Sequence, residues 1–298
     1  MLEVKNLSLK FGEKKVIDNI SLQVEKGKIL GIIGPSGVGK TSLIRALVGI
    51  YEGDLGQVLV DGENLYDNSS AKKKIAYVPD EHNSFSLIKL ADIVEFYRSI
   101  YPKFNENKFN KINKIFKIPL EKRFFQLSKG MKVRVNLMLA FSIGGEYLVL
   151  DEPTSGLDPI LKEKVLKLII REVQKFGAGV IISSHHLDEL ERVCDNIIII
   201  DNGKIAYHNS LEEMKKNIKK IQVAFEAPIY EEDLDIEGIF SITHLGRVFT
   251  IITDRYDEDF KNKLNKFNPL FIEEINLSLE EVFIYKLDKG DNYEEIFK

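Results

Sequence analysis

The first 25 residues alternate apolar and polar positions, with Val4, Leu7 and Leu9 in one run and Val16, Ile20, Leu22 and Val24 in the next. Turn-forming segments at Phe11-Gly12-Glu13 and Glu25-Lys26-Gly27 bound these runs, which predicts short, half-exposed antiparallel strands. Ile29-Leu30-Gly31-Ile32-Ile33 is apolar without alternation, the pattern of a strand buried on both faces of a parallel sheet. Similar runs recur at 75–78, 147–150, 180–182 and 197–200. Between them lie stretches of helical pattern at 40–48, 87–100, 129–142, 160–175 and 187–193. Strands alternating with helices imply an α/β sheet built from crossover connections.

Residues 86–127 interrupt this alternation with polar, Lys- and Asn-rich sequence, expected to be an inserted helical subdomain reaching to about 142. Ser210 and Glu213 have the spacing of a capping box, which predicts a helix over 211–220. Strand patterns follow at 221–225, 240–242 and 248–252, then a helix over 257–267. With 298 residues and about 150 per domain, the chain divides into an α/β domain over 1–215 and a small α+β domain over 216–298, with the boundary somewhere in 209–220.

Charge follows the same division. Residues 1–215 carry 31 Lys and Arg against 28 Asp and Glu, whereas 216–298 carry 11 against 18, which suggests two units with different jobs. The overall charge of −4 disfavours a nucleic-acid surface. No apolar run approaches the ~18 residues of a membrane-spanning helix, and the opening Met-Leu-Glu-Val-Lys lacks the regions of a signal peptide. The single cysteine, Cys194, cannot form an internal disulfide or a multi-thiolate metal site. A soluble, intracellular chain is expected.

Gly34-Pro35-Ser36-Gly37-Val38-Gly39-Lys40-Thr41 fits the phosphate-loop pattern G-x-x-x-x-G-K-[ST]. Glycines let backbone N–H groups converge on phosphate oxygens, and the helix that follows turns its positive end toward the same anion. With Ser42, these residues form the expected nucleotide cradle. Lys40 is expected to reach the β- and γ-phosphates, and the Thr41 hydroxyl to bind Mg²⁺. Leu148-Val149-Leu150-Asp151-Glu152 ends a buried strand in two acids. Asp151 is placed to hold the metal, and Glu152 to polarise the water that attacks the γ-phosphate.

The remaining motifs resemble those of the ABC ATPase family. Leu127-Ser128-Lys129-Gly130-Met131 resembles its signature, usually written LSGGQ, and Pro153-Thr154-Ser155-Gly156-Leu157-Asp158 resembles its D-loop. Ser183-Ser184-His185 resembles the switch-histidine segment, with His186 as the alternative γ-phosphate contact. Ile75-Ala76-Tyr77-Val78-Pro79-Asp80 sits where the family has its Q-loop, and Phe11 where an aromatic stacks on adenine. The resemblance covers about residues 1–208 and implies a P-loop NTPase core with antiparallel β and helical subdomains, ATP and Mg²⁺ as cofactors, and ATPase activity. It also implies a dimer, homo- or heteromeric, in which Ser128, Gly130 and Asp158 of one subunit complete the other's nucleotide site. His82, His208 and His244 have no such context.

Three positions depart from the family. Lys129 and Met131 replace the usual Gly and Gln, and Asp80 replaces the Q-loop glutamine. Asp80 can still offer oxygen to Mg²⁺ but cannot donate as an amide does. The Ser-Lys-Gly-Met form, the compact helical stretch 96–125 and the ending Leu277-Ser278-Leu279-Glu280-Glu281-Val282-Phe283 resemble the ATPase subunits of type-2 ABC exporters, including a YtrB-like subgroup. What this implies is a motor subunit on the inner face of the cell membrane, docked on separate integral membrane subunits and with no nucleic-acid partner. The tail is expected to be regulatory or to support the dimer. The alternative is a non-transport ABC ATPase acting on ribosomes or DNA. A P-loop kinase or GTPase leaves the signature, the D-loop and His185 unexplained.

Overall fold

In the computed structural model, which describes residues 1–80 and 85–287, the chain splits into two compact units, Met1–His208 and Asn209–Lys298. The first opens with β1 (Leu2–Phe11) and β2 (Lys14–Val24), an antiparallel pair. Their register shifts near Asn6 and Asn19, both with positive φ, so bulges break the simple alternation. The buried β3 (Ile29–Ile33) leads through a loop into α1 (Lys40–Leu47). β4 (Leu55–Val60), β5 (Glu63–Asn64), the short α2 (Ser69–Lys72) and β6 (Ile75–Val78) follow. β4 was not evident from the pattern; it pairs with β1 and completes the sheet β2-β1-β4-β5.

The inserted segment forms α3 (Leu90–Ile100), α4 (Glu106–Phe116) and α5 (Lys129–Ser142). α3 begins at Leu90 rather than 87, because the backbone just before it is already paired. Phe124 N–H donates to Ile88 O, Phe125 N–H to Ser86 O, and Leu90 N–H to Lys122 O. β7 (Tyr147–Asp151), α6 (Pro159–Phe176), β8 (Gly179–Ser183), α7 (Leu187–Val193), β9 (Asn196–Asp201) and β10 (Lys204–Ser210) complete this unit. The six-stranded sheet has the order β10-β9-β3-β8-β7-β6. Its β9-β3-β8-β7-β6 ladder is parallel, so the loops after β3, β6, β7 and β8 leave from one edge, where open α/β sheets bind ligands.

In the second unit, α8 (Leu211–Asn217) is shorter than the expected 211–220. Lys219 and Lys220 instead join β11 (Lys219–Phe225), opposite Thr253 and Ile252. Ser210 caps α8 by accepting from Glu213 N–H, but its own N–H donates to Asn209 Oδ1, so the reciprocal half of the box is replaced. β12 (Ile239–Leu245), β13 (Val248–Thr253), α9 (Glu258–Asn265), β14 (Pro269–Ile275) and α10 (Leu279–Leu287) follow. The sheet order is β12-β13-β11-β14. Ile221, Val223, Phe225, Phe249 and Ile251 pack with Phe260 and Leu264 of α9. The end of the tail, 288–298, lies outside the described residues.

Asp61, beyond β4, ties the two sheets of the first unit together. Its carboxylate accepts from the Met1 amino group, from Lys74 Nζ at 3.0 Å and from the Tyr147 hydroxyl of β7 at 3.0 Å. Partial burial opposes its ionisation, but these donors hold it well below the usual carboxylate range. The stabilisation is therefore complete above the unfolded value near ~4 and is lost as pH falls through the depressed folded one. Asp61→Asn is expected to cost about 1–2 kcal/mol at pH 7, read from urea unfolding. The gap to the parent should narrow steadily as the pH is lowered below about 4.

Candidate active site

The phosphate-loop sequence turns sharply between β3 and α1, and its glycines meet distinct needs. A Cβ on Gly34 would lie 2.5 Å from the Ile200 carbonyl oxygen, so close approach excludes a side chain there. Gly39 precedes α1 with φ +107°, and a Cβ there would meet Val16 O at 2.7 Å. Gly37 has open space around it but φ +78°, a conformation costly for other residues. Pro35, Ser36 and Gly37 are exposed, and Val38 is half-buried. No side chain caps α1, leaving its first-turn N–H groups open to an anion.

Lys40 is buried and folds back on the loop, its Nζ donating to Gly34 O at 2.7 Å and Pro35 O at 2.9 Å. Burial lowers its pKa, while the charges of Glu152 and Asp151 act to raise it. Thr41 is exposed in the first turn of α1, and Ser42 beside it is half-buried.

Parallel register brings the acids to this loop. Asp151 is level with Ser183, and Ser183 is level with Ile32 of β3. Ser183, fully buried, donates from Oγ to Asp151 Oδ1 at 2.6 Å and accepts from Glu152 N–H at 3.1 Å. Asp151 is also buried, and burial raises its pKa against the pull of Ser183 and the nearby Thr41 hydroxyl. Its Oδ2 has no hydrogen-bond partner. Glu152 has φ +51°, a left-handed conformation that costs a non-glycine residue roughly 1–3 kcal/mol. This turns its side chain to His185: Oε2 accepts from His185 N–H at 3.2 Å, and Oε1 lies 3.2 Å from Nε2. Burial raises the Glu152 pKa, with His185 opposing and the Asp151 charge adding to the rise.

Asp80, two residues past the end of β6, is half-buried and close enough for its charge to raise the Asp151 pKa. His186 is exposed and precedes α7, its N–H donating to Ser184 Oγ. Phe11 is half-exposed and meets Tyr51 edge-on, with ring centroids 5.3 Å apart. Arg45 of α1 donates to the Tyr51 hydroxyl and lies beside Tyr77, whose hydroxyl burial pushes up to about 12.

The signature residues lie elsewhere in the same unit. Exposed Ser128 caps α5 by accepting from Met131 N–H. A Cβ on Gly130 would meet Gly156 O at 2.9 Å, so this segment packs on the loop at 153–158 of its own chain. Asp158 caps α6, accepting from Leu161 N–H at 3.0 Å with Pro159 at the first turn. Among the described residues no hydrogen bond joins Ser128, Gly130 or Asp158 to the phosphate loop. His82 lies outside the described residues.

Sequence reasoning assigned no role to Ser183, Arg45 or Tyr77. A hydroxyl at the last position of an otherwise apolar buried strand was the available signal for Ser183. Among the described residues no three or more His, Cys, Asp or Glu side chains form a metal-holding group. The unpartnered Asp151 Oδ2 with the Thr41 hydroxyl nearby nonetheless suits Mg²⁺, which commonly takes one or two carboxylates and completes its shell with phosphates and water. No helix of the described residues is long and apolar enough to cross a membrane.

Comparison with known proteins agrees with this geometry. Residues 17–155 match the ABC transporter family model. The chain is 32% identical to the ABC transporter ATP-binding protein YtrB of Bacillus subtilis, over 96% of this chain and 98% of that protein. It is 30% identical to the lipopolysaccharide export system ATP-binding protein LptB of Haemophilus influenzae, over 72% and 92%. A solved ATP-binding subunit of an ABC transporter aligns with TM-score 0.67 and 27% identity, over 72% of this chain and 92% of that one. The cassette MJ0796, solved as a dimer bound to ADP and phosphate, aligns with TM-score 0.62 and 22% identity, over 71% and 99%, a likeness of fold. These relatives favour a transport motor over a non-transport ABC ATPase. The chain therefore belongs to the ATP-binding subunits of ABC transporters, the ATPases that power transport.

Proposed function

We propose that ATP binds with Mg²⁺ at the edge formed by residues 34–42, Asp80, Asp151, Glu152 and His185, with Phe11 against the adenine. The observation that carries this reading is a buried carboxylate, Asp151, presented with one oxygen unpartnered beside a phosphate loop. Thr41 and Asp151, with Asp80, would hold the metal, which supplies charge neutralisation at the phosphate oxygens. Lys40 and the N–H groups of the loop and α1 orient the β- and γ-phosphates. Glu152, made more basic by burial, accepts a proton from the attacking water, and His185 faces the γ-phosphate from the other side of that carboxylate.

Ser128, Gly130 and Asp158 complete the nucleotide site of a second subunit, identical or related, across a two-fold axis. ATP joins the halves because its γ-phosphate gives the opposing α5 N-terminus an anion to hold. ADP lacks that group and lets them part. The pair docks on integral membrane subunits at the inner face of the cell membrane. Export is the direction we favour, on the type-2 features of the signature and tail. The second unit regulates or supports the dimer, since no residue assigned to the nucleotide falls within it.

Glu152→Gln is expected to lower turnover by ~10²–10⁴ with ATP binding retained, and Lys40→Ala to weaken binding itself. Steady-state hydrolysis paired with equilibrium ATP titration separates the two effects, and near-normal turnover in the Gln variant would move the base role elsewhere. Sedimentation of Glu152→Gln should give a dimer with ATP, and monomers with ADP or after adding Ser128→Arg. Full hydrolysis by strictly monomeric protein would sink the shared site. A chain ending after Ser210 keeps every strand of the first unit and is expected to retain nucleotide binding. Loss of binding in a folded truncation would assign the second unit a direct part in it.

A further inference from the structure

Glu189 of α7 is buried, although nothing assigned to the reaction includes it. Its Oε2 accepts from Thr154 Oγ1 at 2.6 Å, and its Oε1 from Lys162 Nζ at 2.9 Å. Thr154 is itself fully buried and lies two residues after Glu152, in a loop closed by Ser155 N–H to Glu152 O and Leu157 N–H to Thr154 O. Lys162 is in the first turn of α6, where its N–H donates to the carbonyl of the Asp158 cap. Glu189 itself sits four residues after His185. One carboxylate thus joins the loop that follows Glu152, the helix that follows Asp158 and the helix that follows His185.

We infer that Glu189 is a positioning residue for ATP hydrolysis, holding the Thr154 loop against α7 so that Glu152 and His185 stay in register. The physical need is specific. Glu152 has a strained backbone and reaches His185 through contacts of 3.2 Å, so the turn on either side must be fixed for those contacts to persist. A burial-matched apolar residue could fill the volume at 189 but could not bind Thr154 and Lys162 together. Truncating it leaves a buried hydroxyl and a cation without their acceptor, and the two loops are free to slide. Misplacing reacting groups by about 1 Å can cost on the order of 10²-fold in rate.

This inference rests on the assignment of Glu152 and His185 made above, and the experiment keeps the two apart. Hydrolysis, ATP affinity and thermal unfolding are measured on the full chain for Glu189→Ala, Glu189→Gln and Thr154→Val, with Glu152→Gln as reference. Glu189→Ala and Thr154→Val are expected to lower kcat by about 10- to 100-fold, with the ATP dissociation constant within about threefold and cooperative unfolding well above the assay temperature. Glu189→Gln keeps an oxygen for Thr154 but turns its amide N–H toward Lys162, and is expected to recover only part of that loss. A kcat for Glu189→Ala within twofold of the parent, beside a low kcat for Glu152→Gln, overturns the positioning role alone. So does a fall in which ATP affinity weakens as much as kcat. Normal hydrolysis by Glu152→Gln would instead overturn the underlying assignment.

Discussion

Burying the Asp151 carboxylate is the constraint around which the candidate site is arranged. A charge removed from water must be hydrogen-bonded or neutralised, and here only one of its oxygens is satisfied, by Ser183. The parallel register of β7 and β8 makes that bond possible, because it sets the two residues level at the ends of adjacent strands. The same Ser183 oxygen accepts the Glu152 N–H, so one hydroxyl fixes both acids. The other Asp151 oxygen remains for a cation, whose charge would offset the burial that raises this carboxyl's pKa.

Around that carboxylate the charges are disposed in tension. Lys40 lies folded on the loop carbonyls, its ammonium weakened by burial and supported by the two acids. Glu152 is bent into a conformation that glycine would adopt more cheaply, and its carboxyl is made more basic by burial and by Asp151. Such strain persists where the surroundings over-determine it. Here the bonds from Ser183 and His185 do so directly, and the Thr154–Glu189–Lys162 cluster braces the segments on either side. A phosphate-bearing ligand with its metal would supply charges that relax several of these groups together.

The second unit has a different character. Its four-stranded antiparallel sheet packs α9 against a core of its own, and its sequence is acidic where the first is slightly basic. The likeness to YtrB, over 96% of this chain, extends into this unit.

The sequence by itself determined the family, the parallel core and where the phosphate loop and the acidic pair lie in the chain, because these depend on local pattern. The runs at 29–33, 147–150 and 197–200 are short and apolar without alternation, the pattern of strands buried on both faces, and a phosphate loop is contiguous in the chain. It also determined the cap at Ser210, whose geometry spans only three residues. Tertiary structure decided what depends on partners distant in the chain. β4 became a strand because β1 offered an edge, α3 began late because Ser86 and Ile88 had already been claimed by Phe125 and Phe124, and α8 stopped early because Lys219 and Lys220 found Thr253 and Ile252. It also decided that Ser183 would bridge Asp151 and Glu152, and that Glu189 would reach Thr154 across 35 positions. A hydroxyl or carboxylate has no periodicity to betray its partner. Its role is set by which strand ends come level and by the cost of leaving a buried polar atom alone.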